Sequence, residues 1–501
     1  MGGLERPDAA RNRRRVMAAL MLLSVAFALF LELWFEREPL WLDEAWTIAI
    51  AGQERWGDFF HQVYWDVNAP LYYLVIHLWQ GVFGLSDLSL RIPSLIFATA
   101  TPLVLAVSRI EGLPDEDRLT WAAILALWFP ALSFAQEARC YAMLLLISTL
   151  QCVAFIRLMR APDTRRASAW AALAALSILT HYDAILPAAL QGLIYLAIYR
   201  LRAVKTWPAA LAFVPAFGWL AYHLPRIVLF AKPGIAWYAN LTLDDLPEVF
   251  GFLAGRVDVL WCLLGVAVLA LVLRFAWPRR SRPAAPEARI WLALAPSFLG
   301  AAALIIIGFF RPSFAFRYLT PDMPGILLGV VLMARLIIGR RVALAFVELI
   351  VVFGFVTAWR VHAGDRMAPH GYNYEIASQG LERSHPKRVV FLWDHPVDPI
   401  LHPEQLAAAG DAFFHRDGLR VTVDPVILNP GEDPNTRLMA EGAEAPGSVI
   451  LWVYDTWVQG TAARRYPPRI HTLDPSWLCR SSGGGRFYVY ACTRAPVIQQ
   501  P

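Results

Sequence analysis

Apolar runs of about 18 to 20 residues recur along the first two thirds of the chain, separated by short loops. No other feature restricts the fold so severely. As a helix, a run of that length rises about 30 Å, the thickness of a bilayer's hydrocarbon core. In lipid every backbone N–H and C=O must be satisfied internally, and a helix does so within one segment. The chain of 501 residues is 57% hydrophobic and 17% charged, whereas ordinary soluble domains carry about 25% charged residues. The expected fold class is a polytopic α-helical membrane protein of about 11 transmembrane helices with a C-terminal soluble mixed α/β domain.

Basic loops set the orientation. "RNRRR" (11–15) precedes the first run, and no small-residue cleavage site follows it, so this run reads as an uncleaved helix over about 16–35. With the arginines in the cytoplasm, residues 36–91 form a long first external loop. Within it "PLYYLVIHLWQGVFG" (70–84) is short and lacks a basic flank, which predicts an interfacial helix. Further spans are expected over about 92–110, 119–136, 141–159, 168–183, 184–200, 207–224, 251–274, 290–310, 319–338 and 342–360. Residues 225–250 are left as a long external loop, and the acidic "EGLPDEDR" fits its cytoplasmic position least well. The expected localisation is the inner (cytoplasmic) membrane, multi-pass, with residues 361–501 outside the cytoplasm.

Residues 1–360 thus read as a transmembrane domain and 361–501 as a soluble one. The latter carries the β-type runs "RVVFLW", "LRVTVDPVIL", "SVILWVYD" and "RFYVYACT". Cys479 and Cys492 flank its last hairpin signal and can form a bridge in an oxidising compartment; the alternative is two unpaired thiols. Cys140, Cys152 and Cys262 read as small core hydrophobes. Histidines and cysteines show no zinc spacing. The formal charge of +5 is spread over short loops, a pattern of membrane orientation and not of nucleic-acid binding.

Unusual polar residues gather at the external ends of the spans. "LWLDEAWTIA" (40–49) holds Asp43 and Glu44, and "YWDVNAP" (64–70) holds Asp66 and Asn68. "QEARCY" (136–141) holds Gln136, Glu137, Arg139 and Tyr141, "HYD" begins with His181 and Tyr182, and "RPSFAFRY" (311–318) ends in Arg317 and Tyr318. Ionisable groups at a membrane edge are functional candidates by default. The alternative for any single Arg or Tyr is anchoring in the headgroup layer. Arginine forks match phosphate oxygens, and a carboxylate can act as general base or hold a divalent cation. Neighbours on a helix diverge by about 100°, so Asp43 and Glu44 are expected to divide the work, one facing the pocket and one bracing. This collection suits group transfer from a lipid phosphate. A transporter or lipid flippase is the rival reading, and it would place its ionisable groups near mid-span.

"LDEAW", "DVNAPLYY", "FGLSDLSLRIPS", "QEARCYAML", "THYD" and "FRYLTPDMP", in this order, resemble the C-type integral-membrane glycosyltransferases. The nearest resemblance is to bacterial members of the protein O-mannosyltransferase and lipid A aminoarabinose transferase superfamily, over about residues 16–340. The resemblance implies a polyprenyl-phosphate sugar donor held among membrane lipids, and an extracytoplasmic acceptor that is a lipid, glycan or protein. It implies Asp43 as the base, with Asp66 matching a first-loop aspartate. Asn68 and Ala69 depart from the family's histidine and first proline. On this reading Asp43, Glu44 and Asp66 are the catalytic candidates. Arg139 and Arg317 would bind the donor phosphate, and Asn68, Tyr141, His181, Tyr182 and Tyr318 would line the substrate pocket. Single displacement would invert the anomeric carbon.

Overall fold

The structure is a computed structural model that describes residues 7–35, 42–230, 240–257, 288–338, 385–394, 403–416, 418–429, 431–455, 469–482 and 487–494, with the single positions 260, 265 and 381. The helical part opens with α1 (Pro7–Phe35), then three short helices, α2 (Leu42–Ala51), α3 (Trp56–Trp65) and α4 (Pro70–Phe83). Long helices follow: α5 (Asp87–Val107), the pair α6 (Asp115–Leu127) and α7 (Phe129–Ala135), α8 (Tyr141–Arg160), α9 (Thr164–Thr180) and α10 (Ile185–Tyr199). The rest are α11 (Leu201–Val204), α12 (Val214–Phe230), α13 (Leu246–Ala254), α14 (Ala288–Phe310) and α15 (Met323–Ile338). Among the described residues six helical segments are long and apolar enough to cross a membrane, or seven if α6 and α7 are counted as one span. The protein is a polytopic membrane protein.

Elements depart from the sequence expectation where local chemistry overrides apolar content. The span expected over 119–136 is broken: α6 and α7 meet at a 57° bend. Pro130 sits in the first turn of α7, where a missing N–H costs nothing but an unbroken helix would clash. The first external loop, in which only the interfacial helix at 70–84 was expected, also holds α2 and α3. The helix expected to end near 224 runs on to Phe230. The helix expected over 342–360, most of that over 251–274, and the domain boundary at 360 lie outside the described residues.

The acidic segment before α6 has a physical explanation. Asp115, Glu116 and Asp117 occupy the first turn of α6, where the helix dipole favours negative charge. Asp115 also pairs with Arg14 (3.1 Å) and Arg118 (2.8 Å), and Asp117 pairs with Arg335. Arg118 donates to the Leu105 and Ala106 carbonyls at the end of α5. These contacts tie α1, α5, α6 and α15 together. Deeper in the bundle, Gln191 Oε1 on α10 accepts from Gln151 Nε2 on α8 (2.8 Å) and Trp170 Nε1 on α9 (2.7 Å). Ser177 Oγ donates to Gln151 Oε1 at 2.7 Å. Such polar contacts hold helices together where lipid offers no hydrophobic drive.

The C-terminal domain is a five-stranded mixed sheet in the order β2-β1-β3-β5-β4. Its strands are β1 (Arg388–Asp394), β2 (Thr422–Ile427), β3 (Ser448–Asp455), β4 (Trp477–Ser482) and β5 (Phe487–Arg494). β1 runs parallel to β2 and β3, whereas β5 is antiparallel to β3 and β4. Helices α16 (Pro403–Arg416) and α17 (Pro434–Ala440) supply the other layers. Val389, Phe391 and Trp393 pack with Leu406 and Phe414 of α16. Val390, Leu392 and Trp452 pack with Leu438 of α17. Burial on both faces explains why β1 and β3 read as continuous apolar runs. Cys479 and Cys492 lie directly opposite each other on β4 and β5 and form a disulfide. Helix α16 also packs against α2, and Glu404 on α16 lies 3.2 Å from His61 Nε2 on α3.

Candidate active site

Asp43 and Glu44 stand in the first turn of α2, where unpaired backbone N–H groups favour carboxylates. The turn of the helix sends them apart. Asp43 Oδ2 lies 3.1 Å from Arg139 Nη1 and 3.6 Å from Arg317 Nη2. Arg139 comes from the turn between α7 and α8, and Arg317 from the 3-10 turn Phe316–Asp322 before α15. Both guanidinium groups lie within 6 Å of the Tyr141 ring centre, which gives them a common apolar floor. His181 stacks near that floor, 5.5 Å from Tyr141 and 5.1 Å from Tyr318, and its Nδ1 is 3.2 Å from Asp183 Oδ2.

Glu44 is fully buried. Its two oxygens accept from Arg91 Nε and Nη2 at 2.8 and 2.7 Å, and Oε1 also accepts from the Ala138 backbone N–H at 2.7 Å. This bidentate pair joins α2 to α5 and to the arginine-bearing turn. The Glu44 carboxylate is thus sealed within this pair and, unlike Asp43, does not face the arginine cluster of Arg139 and Arg317. Arg91 had been quoted only as part of a motif, since a cation just ahead of the span expected over 92–110 gives no hint of its partner.

A second group lies beside the first. Asp66 Oδ2 accepts from Tyr73 Oη (2.6 Å) and Asn68 Nδ2 (2.9 Å). Asn68 is thus committed to holding Asp66, and its Nδ2 also approaches Tyr73 Oη at 3.4 Å. Tyr73 belongs to both groups: it is buried on α4, and besides Asp66 it feels the charge of Arg139. Tyr182 turns away from the arginines. Its hydroxyl meets His223 Nδ1 at 2.6 Å and accepts from Trp219 Nε1 at 2.9 Å. His223 Nε2 in turn donates to the Tyr64 carbonyl (2.9 Å), and Arg226 donates to the Trp65 carbonyl (2.6 Å). Helix α12 thereby caps the end of α3 just before Asp66. Neither Tyr73 nor His223 was singled out from sequence, because nothing marks an aromatic or a histidine in an apolar helix as polar-facing.

Glu137, on the same turn as Arg139, is half-buried; its backbone carbonyl accepts from the Arg139 N–H at 2.8 Å, while its carboxyl makes no hydrogen bond or ion pair within 4 Å among the described residues. Burial first, then the charge of Glu44, raise its carboxyl to about 7, against the lowering pull of Arg139 and Arg317. Among the described residues no group of three or more histidine, cysteine or acidic side chains is placed to hold a metal ion.

The arrangement of spans, first-loop helices and C-terminal sheet is similar to that of a solved structure, ArnT from Cupriavidus metallidurans bound to undecaprenyl phosphate. The TM-score is 0.55 and the identity 14%, with 94% of this chain and 97% of that chain covered. The chain has the fold of ArnT. The apo state of the same protein gives a TM-score of 0.54 over the same coverage. The fold agrees with the C-type glycosyltransferase resemblance of the loop motifs. No family model matches the chain, and no curated protein matches it.

Proposed function

We propose that the protein is a membrane glycosyltransferase that moves a sugar from a polyprenyl-phosphate donor to an acceptor outside the cytoplasm. One observation carries the reading: a single carboxylate, Asp43, bridges two arginine forks drawn from distant parts of the chain. Two guanidinium groups converging on one carboxylate oxygen mark a site where an anionic phosphate oxygen would be held. The site lies at the ends of spans, so an isoprenoid tail can stay in the bilayer while its phosphate reaches the arginines. The bound undecaprenyl phosphate of ArnT, a protein of the same fold, supports this donor class.

In the proposed reaction the donor phosphate takes up the forks of Arg139 and Arg317 and leaves the Asp43 carboxylate facing the acceptor. Asp43 removes the acceptor's proton as its oxygen attacks the anomeric carbon. The bond from that carbon to the phosphate oxygen breaks, its electron pair goes to the phosphate, and the centre inverts. Asp66, positioned by Tyr73 and Asn68, orients sugar or acceptor hydroxyls. The His181, Tyr141 and Tyr318 rings form the pocket wall. Lysine at position 139 or 317 keeps the charge but loses the planar fork. Each such variant is expected to bind polyprenyl phosphate about tenfold more weakly, a change of about 1.4 kcal/mol. Unchanged binding in both lysine variants and in both alanine variants would reduce the arginines to anchors.

A further inference from the structure

Glu137 is the one carboxyl at the arginine cluster that the proposed reaction leaves without a task. Its surroundings differ from those of its neighbours. Asp43, from α2, is held between Arg139 and Arg317. Glu44, also from α2, is consumed by Arg91 of α5 and the Ala138 N–H. Glu137 projects from the turn that carries Arg139, feels both Asp43 and Glu44 as like charges, and keeps a partly exposed side chain. Three carboxyls within one cluster cannot all ionise without cost, and Glu137 is the one not tied to an arginine by hydrogen bonds among the described residues.

Resting on the glycosyltransferase reading above, we propose that Glu137 is the general acid that protonates the departing polyprenyl phosphate. The donor is a phosphodiester with one negative charge. As the bond between the anomeric carbon and the phosphate oxygen breaks, the electron pair leaves the phosphate with two. The Glu137 proton moves to that oxygen, and the lipid departs as a monoanion. The acceptor's proton rests on Asp43 and the new carboxylate on Glu137. Return of the proton from Asp43 to Glu137 through water restores the starting state, so one turn of the cycle neither gains nor loses a proton. A carboxyl that titrates at about 7 is matched to this duty near neutral pH.

The test compares wild type, Glu137→Gln and Glu137→Asp in the same detergent. Transfer rate and polyprenyl phosphate binding are measured from pH 5.5 to 8.5. The acid must be protonated to act, so wild-type kcat/KM, which reports the free protein's groups, is expected to hold below pH about 7 and fall above it. Glu137→Gln, a neutral isostere of the protonated acid, is expected to bind polyprenyl phosphate as wild type does at low pH. Its kcat is expected to be about 100-fold lower, and its kcat/KM to lose the alkaline decline. Glu137→Asp is expected to recover part of the rate with a displaced decline. A Glu137→Gln protein that keeps both the wild-type rate and the wild-type pH profile overturns the proposal and leaves the transferase reading standing. A wild-type protein that releases no lipid phosphate from any polyprenyl-phosphate sugar overturns both.

Discussion

Asp43 and Glu44 are adjacent and chemically alike, yet their environments differ sharply. The partly exposed Asp43 carboxylate is held from outside by two arginines, while Glu44 is sealed against Arg91. Asp43→Asn keeps the shape but cannot take a proton, so turnover is expected to fall by about 10² to 10⁴ while the protein folds and binds polyprenyl phosphate. Glu44→Gln leaves the buried Arg91 without its counter-charge. Breaking such a pair costs about 3–5 kcal/mol, so this variant is expected to lose thermal stability in detergent first and activity only as a consequence. A Glu44→Gln protein as stable as wild type, yet inactive, would return Glu44 to the catalytic set. That the two side chains meet different partners was legible from the helical offset alone. Asp43, Arg139, Arg317, Tyr141 and His181 were also legible, since charged and aromatic residues at span ends stand out against apolar sequence. Arg91, Tyr73 and His223 were not: their importance lies in partners that are 47, 7 and 41 positions away along the chain.

Among the elements, long apolar helices announce themselves, because a bilayer imposes length and composition together. The short helices do not. Helices α2 and α3 have ten residues each, too few for a periodic signal to separate helix from loop, and both are stabilised by packing rather than by their own propensity. The break between α6 and α7 was missed because Pro130 lies in a run that is apolar on both sides. Where helices pack deep in the bundle, polar side chains act as specific ties. Gln191→Leu removes the acceptor used by Gln151 and Trp170, on two neighbouring helices. The expected loss is about 1 kcal/mol, read as a lower midpoint of thermal unfolding in detergent with donor binding intact. An unchanged midpoint would mean that these amides contribute no net stability.

At the scale of the whole molecule, the C-terminal domain is placed to matter to the site, since α16 rests on α2, the helix that begins with Asp43. Four of the five strands coincide with β-type runs in the sequence, and the fifth, β4, is the hairpin partner that the spacing of Cys479 and Cys492 pointed to. The disulfide between Cys479 and Cys492 is a sign of an oxidising compartment. We therefore expect thiol reagents added to intact cells to label these two cysteines only after reduction. Labelling that requires membrane permeabilisation would place the domain, and with it the contact on α2, in the cytoplasm. The central claim, that a sugar leaves a polyprenyl phosphate at the Asp43, Arg139 and Arg317 cluster, has one direct test. Purified protein is incubated with polyprenyl-phosphate sugars and candidate acceptors, and release of polyprenyl phosphate is followed beside the Asp43→Asn variant. The account predicts acceptor-dependent release by wild type and a loss of at least about 100-fold in the variant. Equal release by the two proteins would contradict it.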